Sequence, residues 1–264
     1  VPSTGSELSG AWNFRDVAEQ TGIAPGVFYR ASELSRLDDD GRAALTGYGV
    51  TDVADLRSDR EVARRGAGQV PHGVDIHRLP FREVGAHAPH EQGFEQILAE
   101  NTEGAEDIAA AAARYMTEEY RKYPVMAGAQ AAVRQAIALI ADQRTVLTHC
   151  FAGKDRTGFT IAVVLEAAGI DRDAIMADYL RSNDAVPLLR EQILESIRAR
   201  AAAQTDEIVT FAEANFADEV LGVRESYLDA ARDVIDDEYG SMKTYLDAIG
   251  VTSDQIRRLR ARLR

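Results

Sequence analysis

Two spacings of apolar residues alternate along this chain. Short apolar runs at 27–30, 50–56, 74–79 and 145–149 have the length and the bounding residues of buried strands. Elsewhere the period lengthens to that of a helix. Ile108, Ala111, Ala112, Tyr115 and Met116 share one helical face, and Ala129, Ala132, Val133, Ala136, Ile137 and Ile140 share another, so two helices should cover the sheet. Residues 157–168 are apolar nearly all round, the pattern of a helix buried on every side. Strands interleaved with helices predict an α/β fold.

Local punctuation sets the boundaries. Asp38 can cap a helix over 39–48 that stops near Gly49, Ser58-Asp59-Arg60-Glu61 matches a capping box, and Gly169 and Asp171 end one helix and begin the next. Helices are expected at 171–181, 187–202, 223–238, 241–248 and 253–264. Ile208, Ala212, Phe216 and Val220 recur at four-residue steps up to Gly222, which by itself reads as one more core helix. The first ten residues predict no fixed structure. Trp12 and Phe14 then anchor the chain, while Arg15 and Asp16 pair with each other or with neighbours. Arg57, at a strand-to-helix corner, either faces the loop discussed next or forms a salt bridge within its own corner.

That loop holds the only cysteine. Residues 148–158 read Thr-His-Cys-Phe-Ala-Gly-Lys-Asp-Arg-Thr-Gly, placing Cys150 six positions before Arg156, with His149 in front and Thr157 behind, between a predicted strand and a buried helix. A tight loop entering a helix leaves backbone N–H groups unpaired around one point, which favours a bound phosphate and a thiolate. Arg156 can fork two N–H donors onto phosphoryl oxygens. The chemistry predicted is attack by the Cys150 thiolate to give a cysteinyl-phosphate. The backbone of Phe151, Ala152 and Gly153 would bind the phosphoryl group, with Lys154 at the pocket rim. Thr157 either donates to the sulfur or caps the first turn. Asp155 is the carboxyl placed to give a proton to the leaving oxygen and take one from water, unless its role is to hold Arg156 in place. A nucleotide-binding P-loop also contains Gly-Lys, but it needs glycine where Thr148 stands and Ser or Thr where Asp155 stands.

Composition narrows the partners. The 264 residues carry a net charge of −13, which argues against nucleic acid and makes any attraction for phosphate local to Lys154, Arg156 and the loop amides. No apolar run approaches the ~20 residues of a membrane span. No Pro- or Gly-rich linker divides the chain, so one domain over 1–264 is expected. The opening Val-Pro-Ser-Thr-Gly-Ser-Glu shows no secretory signal, and a single cysteine excludes an internal disulfide, which fits the cytoplasm without requiring it. His87 and His90 lack a clear third ligand and read as loop histidines, so no metal is expected. Five arginines among the last eight residues read as a solvated helix end rather than a membrane contact.

The loop HCFAGKDRTG resembles that of the cysteine-dependent protein tyrosine phosphatases, and within them the secreted mycobacterial-type protein tyrosine phosphatase B family. AWNFRDV at 11–17, ASELSRLD at 31–38, DVADLRS at 52–58, YMTEEYR at 115–121, ADYLRSND at 177–184 and YGSMKTYLDAIG at 239–250 extend the likeness over nearly the whole chain. The resemblance implies the phosphatase fold, a small mainly parallel sheet flanked by helices, with a two-helix lid within about 187–222. It implies hydrolysis of phosphotyrosine without a metal or organic cofactor, and secretion without a classical signal peptide. It also assigns the general acid to Asp155. Many tyrosine phosphatases instead carry that acid in a Trp-Pro-Asp loop; none exists here, and Glu83, after Leu79-Pro80-Phe81, is the reserve. Lys154 and Asp155 resemble residues in the loops of inositide-cleaving relatives, so phosphoserine, phosphothreonine and phosphoinositides join phosphotyrosyl proteins as expected substrates. Two rivals are a phosphate-binding pseudophosphatase, disfavoured by the presence of Cys150, Asp155 and Arg156, and a rhodanese-like sulfur carrier, which leaves His149 and Thr157 unexplained.

Overall fold

The structure is a computed structural model that describes residues 8–81, 108–201 and 218–264. In chain order it comprises β1 (Arg15–Asp16), α1 (Ala18–Thr21), β2 (Phe28–Ala31), α2 (Asp39–Gly47), β3 (Asp52–Asp55), α3 (Asp59–Arg65), β4 (Asp75–Arg78), α4 (Ile108–Lys122), α5 (Ala127–Ala141) and β5 (Val146–His149). Then follow α6 (Asp155–Ala168), α7 (Arg172–Leu180), α8 (Val186–Ala201), α9 (Asp218–Leu221), α10 (Glu225–Tyr239), α11 (Met242–Ala248) and α12 (Ser253–Leu263).

The strands form one sheet in the order β1-β2-β5-β3-β4, parallel except for β1 at one edge. β5 is central. Its Thr148 lies opposite Arg30 on one side and Ala54 on the other, and its His149 opposite Ala31 and Asp55. The strand therefore delivers Cys150 to the middle of the sheet's carboxyl end, where open α/β sheets take their ligands.

Alternation along the strands builds two cores. Phe28, Ala54 and Val146 face one layer, with Val133, Ile137, Val163 and Val164 of α5 and α6. Their neighbours Tyr29, Val53 and Leu147 face the other, with Phe14, Leu34, Leu37, Leu45 and Val50. Each fully buried side chain of this size contributes roughly 1.5–3 kcal/mol. Among the described residues β4 is the other edge strand, and its Asp-Ile-His-Arg sequence puts charge where an edge would otherwise recruit another strand.

The predicted caps form as read. Asp38 accepts from the Gly41 N–H, Ser58 and Glu61 close the capping box of α3, Gly169 adopts a left-handed C-cap and Asp171 accepts from the Asp173 N–H. One expectation changes and two open alternatives are decided. Leu8, inside the stretch expected to lack structure, is 2% exposed and joins the second core. Arg15 and Asp16 do not pair with each other: Arg15 reaches Asp178, and Asp16 accepts from the Ala18 and Gly26 N–H groups. Of the two roles open to Arg57, the salt bridge is the one formed, to Asp55 and Glu33. Glu83, His87, His90 and the positions 208–216 lie outside the described residues.

Two glycines differ in what surrounds them. A Cβ on Gly128, in the first turn of α5, would sit 2.2 Å from the Pro80 carbonyl oxygen and 2.5 Å from that of Phe81, whereas one on Gly47, at the end of α2, would meet nothing within 4 Å. Replacing helical Gly by Ala ordinarily gains up to about 1 kcal/mol. Gly47→Ala should show part of that gain in urea denaturation, while Gly128→Ala should lose about 1–3 kcal/mol through overpacking.

Candidate active site

Cys150 is buried, and its Sγ accepts the Gly153 N–H at 3.3 Å. Gly153 has φ +67°, and a Cβ there would lie 2.1 Å from the Ala31 carbonyl oxygen, so the turn that brings this amide back to the sulfur requires glycine. α6 begins immediately afterwards, and its first-turn amides and dipole add positive potential at the same end. The side chains of Phe151 and Ala152 turn away from the sulfur to join Leu189 of α8 and Leu221 of α9 in a small apolar cluster. The Arg65 guanidinium lies 4.3 Å from the Phe151 ring centroid.

Arg156 is held by a partner 95 residues away in sequence. Its Nη1 and Nη2 donate to Glu61 Oε2 and Oε1 at 2.7 and 2.8 Å, and Nη1 also reaches the Leu56 carbonyl at 3.3 Å. Burial alone would weaken the guanidinium's hold on its proton, but Glu61 outweighs this and raises the pKa above the ordinary arginine value. The bidentate pair fixes the plane of a group that stays cationic. Glu61 was legible only as the closing residue of a capping box; nothing local in sequence marks its second role.

Asp155 therefore does not hold Arg156. Its Oδ1 accepts from the Tyr120 hydroxyl at 3.0 Å, and Tyr179 donates to the Tyr120 oxygen at 2.7 Å. Burial, and next the nearby Asp155 carboxylate, push both phenols well above the usual tyrosine range, so they persist as donors. The two tyrosines fall within the segments YMTEEYR and ADYLRSND, whose likeness to the family was visible but whose contact with Asp155 was not.

Two loop residues depart from expectation. Lys154 does not stand at the rim: it is buried, and its Nζ donates to Asp155 Oδ1 at 2.9 Å, the Val220 carbonyl at 2.9 Å and the Gly222 carbonyl at 3.2 Å. Its stem and charge turn toward the segment ending α9, because those carbonyls sit at the close of a short helix and need donors. Thr157 neither donates to the sulfur nor caps the helix; its buried hydroxyl has no hydrogen-bond partner among the described residues. These positions place Cys150, Arg156 and Asp155 around one loop, a thiol beside a fixed cation and a carboxyl.

His149 lies under the loop, fully buried. Its Nδ1 is 3.1 Å from the Cys150 carbonyl oxygen, which can only accept, so the proton sits on Nδ1; Nε2 is 3.7 Å from Asp55 Oδ1. Burial lowers the imidazole below its ordinary pKa of 6.5, although Asp55 pulls the other way. The folded state thus resists a proton that the unfolded chain accepts. This contribution to stability is complete above about pH 6.5 and is lost as the pH falls below it. Between pH 7.5 and 5.0 the denaturation midpoint of the wild type should fall, and the fall should be shallower in His149→Asn; equal slopes would remove His149 as the cause.

Comparison with known proteins agrees with this geometry. The sequence model of the tyrosine phosphatase family matches residues 6–264. The chain is 54% identical to the triple specificity protein phosphatase PtpB of Mycobacterium tuberculosis, over 96% of this chain and 97% of that one. It is 33% identical to a tyrosine-protein phosphatase of Cupriavidus necator over 70% of this chain and 69% of the other, and 26% identical to one of Nostoc commune over 92% and 76%. With a match running from residue 6 to the last residue, the chain belongs to the tyrosine phosphatase family.

Proposed function

We propose that the protein hydrolyses phosphotyrosine, and also phosphoserine, phosphothreonine and phosphoinositides, in two displacements at Cys150. In the first, the thiolate forms an S–P bond as the P–O bond to the leaving group breaks, and Asp155 gives that oxygen its proton. In the second, Asp155 takes a proton from water, the water oxygen bonds to phosphorus, and the S–P bond breaks to release inorganic phosphate and the thiolate. Arg156 and the loop amides hold the equatorial oxygens, whose charge rises as the group transfers. The observation that carries this reading is the bidentate Arg156–Glu61 pair, which fixes a cation beside a sulfur already receiving a backbone N–H.

The wider substrate range is supported by the triple specificity named for the Mycobacterium tuberculosis relative. We take residues 1–264 as one phosphatase domain, with a lid within about 187–222. Leu189 and Leu221 packed on Phe151 and Ala152 support a covering element there. Secretion rests on the resemblance alone. It is checked by looking for the protein in culture filtrate that is free of a lysis marker; its confinement to the cell pellet would return it to the cytoplasm. Among the described residues no single helix is long and apolar enough to cross a membrane.

Phosphate release from a phosphotyrosyl peptide, under reducing conditions with chelator present, tests the mechanism. Cys150→Ser should abolish turnover, Asp155→Asn should lower kcat by about 10²–10⁴, and Glu83→Gln should stay near wild type. Equal rates for Cys150→Ser and the wild type would reject thiol catalysis. A loss with Glu83→Gln that is absent with Asp155→Asn would reverse the choice of acid.

A further inference from the structure

The face of the loop turned away from the sulfur is gripped by side chains that the reaction does not use. Asn13 Nδ2 donates to the Ala152 and Gly153 carbonyls, each at 3.1 Å. Arg30 Nη2 donates to the Gly153 carbonyl at 2.7 Å, and the Glu33 N–H to the Phe151 carbonyl at 2.9 Å. A peptide group is planar and trans, so a carbonyl and the N–H of the next residue point in opposite directions. Holding the carbonyls of 151, 152 and 153 outward therefore aims the amides of Ala152, Gly153 and Lys154 inward. The middle one is seen to arrive, 3.3 Å from Sγ.

The grip is itself fixed. Asn13 has φ 54°, and its Oδ1 accepts from Arg15 Nη1 at 2.6 Å. Arg15 and Arg30 share the Asp178 carboxylate at 2.8 and 2.5 Å, and both reach the Ser182 hydroxyl, at 3.2 and 3.1 Å. Arg15, Arg30 and Asp178 are all buried. Burying two guanidinium groups on one carboxylate is a weak source of stability, since desolvation consumes most of the attraction. What the cluster does achieve is to set one donor against the Gly153 carbonyl and to orient the amide that supplies two more.

We propose that Asn13 and Arg30, set in place by Arg15 and Asp178, are positioning residues that turn the peptide groups of the phosphate-binding loop so that its amides face the transferred group. The proposal rests on the reading of Cys150–Arg156 as that loop. It gives the AWNFRDV segment a role in oxyanion binding, although none of its side chains hydrogen-bonds the sulfur among the described residues.

Asn13→Asp is the informative substitution. Aspartate has the same shape, tolerates positive φ and can still accept from Arg15, but it places an oxygen opposite two carbonyls where an NH₂ group stood. Orthovanadate inhibition of phosphotyrosyl-peptide turnover is the readout, because an inhibition constant does not depend on how much of the enzyme is folded. The Ki should rise at least about tenfold, below the ~10²–10³ seen when an oriented donor is removed outright. Peptide kcat should fall with it, while KM moves less. Asn13→Gly, at ease with the same backbone angle, should shift Ki in the same direction and carries the test if the aspartate variant does not fold. An unchanged Ki in a folded variant overturns the proposal, even if total activity drops. If the wild type itself neither turns over peptide nor responds to vanadate, the reading of the loop fails first, and this inference with it.

Discussion

The site depends on one buried carboxylate. Glu61 Oε2 accepts from the Ser58 N–H at 2.8 Å, the Ser58 hydroxyl at 3.0 Å and Arg156 Nη1 at 2.7 Å, while Oε1 takes Arg156 Nη2 at 2.8 Å. It thus joins the starts of α3 and α6, and through them the ends of neighbouring strands β3 and β5. The two functions support each other. The cap holds the carboxylate in one rotamer, so the guanidinium docks in one plane; the guanidinium compensates a charge that the cap alone would leave buried. Removing either partner of such a pair strands the other, which costs about 3–5 kcal/mol, a large part of a domain's total stability of ~5–15 kcal/mol.

Around this pair the carboxyl end of the sheet is crowded with charge, while the body of the sheet is apolar. Asp55 accepts from Arg57 and pairs with Arg78, and Glu33 pairs with Arg57 and Arg65. Burial alone would raise the Asp55 carboxyl, but the cationic groups around it, Arg57 and Arg78 among them, outweigh it and hold the carboxyl well below its usual range. A parallel sheet brings this about naturally, because every strand ends on the same side and each strand-to-helix corner adds its polar groups there. The electrostatic expense of the site is therefore carried by a rigid layer of paired ions beneath it rather than by the loop.

Much of this was legible in the sequence, and the division follows from range. The four parallel strands, the caps at Asp38, Ser58, Gly169 and Asp171, and the loop itself depend on neighbours within a few residues, so period and punctuation reveal them; the two-residue β1 is too short for either. What escaped depends on contacts across the chain. Glu61 and Arg156 are 95 residues apart, Arg15 and Asp178 are 163, and Lys154 and the Val220 carbonyl are 66. Leu8 escaped for a different reason: a lone apolar residue in a polar stretch has no period, yet the second core had room for it. Thr157 shows the converse error. A hydroxyl in the right motif position suggested a hydrogen bond, but sequence position does not fix a rotamer.

Lys154 has the largest consequence for how the site works. A basic residue inside a phosphate-binding loop invites assignment to the phosphate. Here its ammonium is surrounded by acceptors, with the Asp155 carboxylate at 2.8 Å and the Val220 and Gly222 carbonyls at 2.9 and 3.2 Å. An ammonium has three N–H donors, and once these acceptors have taken them none remains for a phosphoryl oxygen. Its charge is also largely offset by the carboxylate it touches. In a chain of net charge −13, the other cation of this loop is Arg156, which Glu61 holds. Lys154 instead ties the loop to the end of α9, so the position of Asp155 and the seating of α9 are set by the same cation.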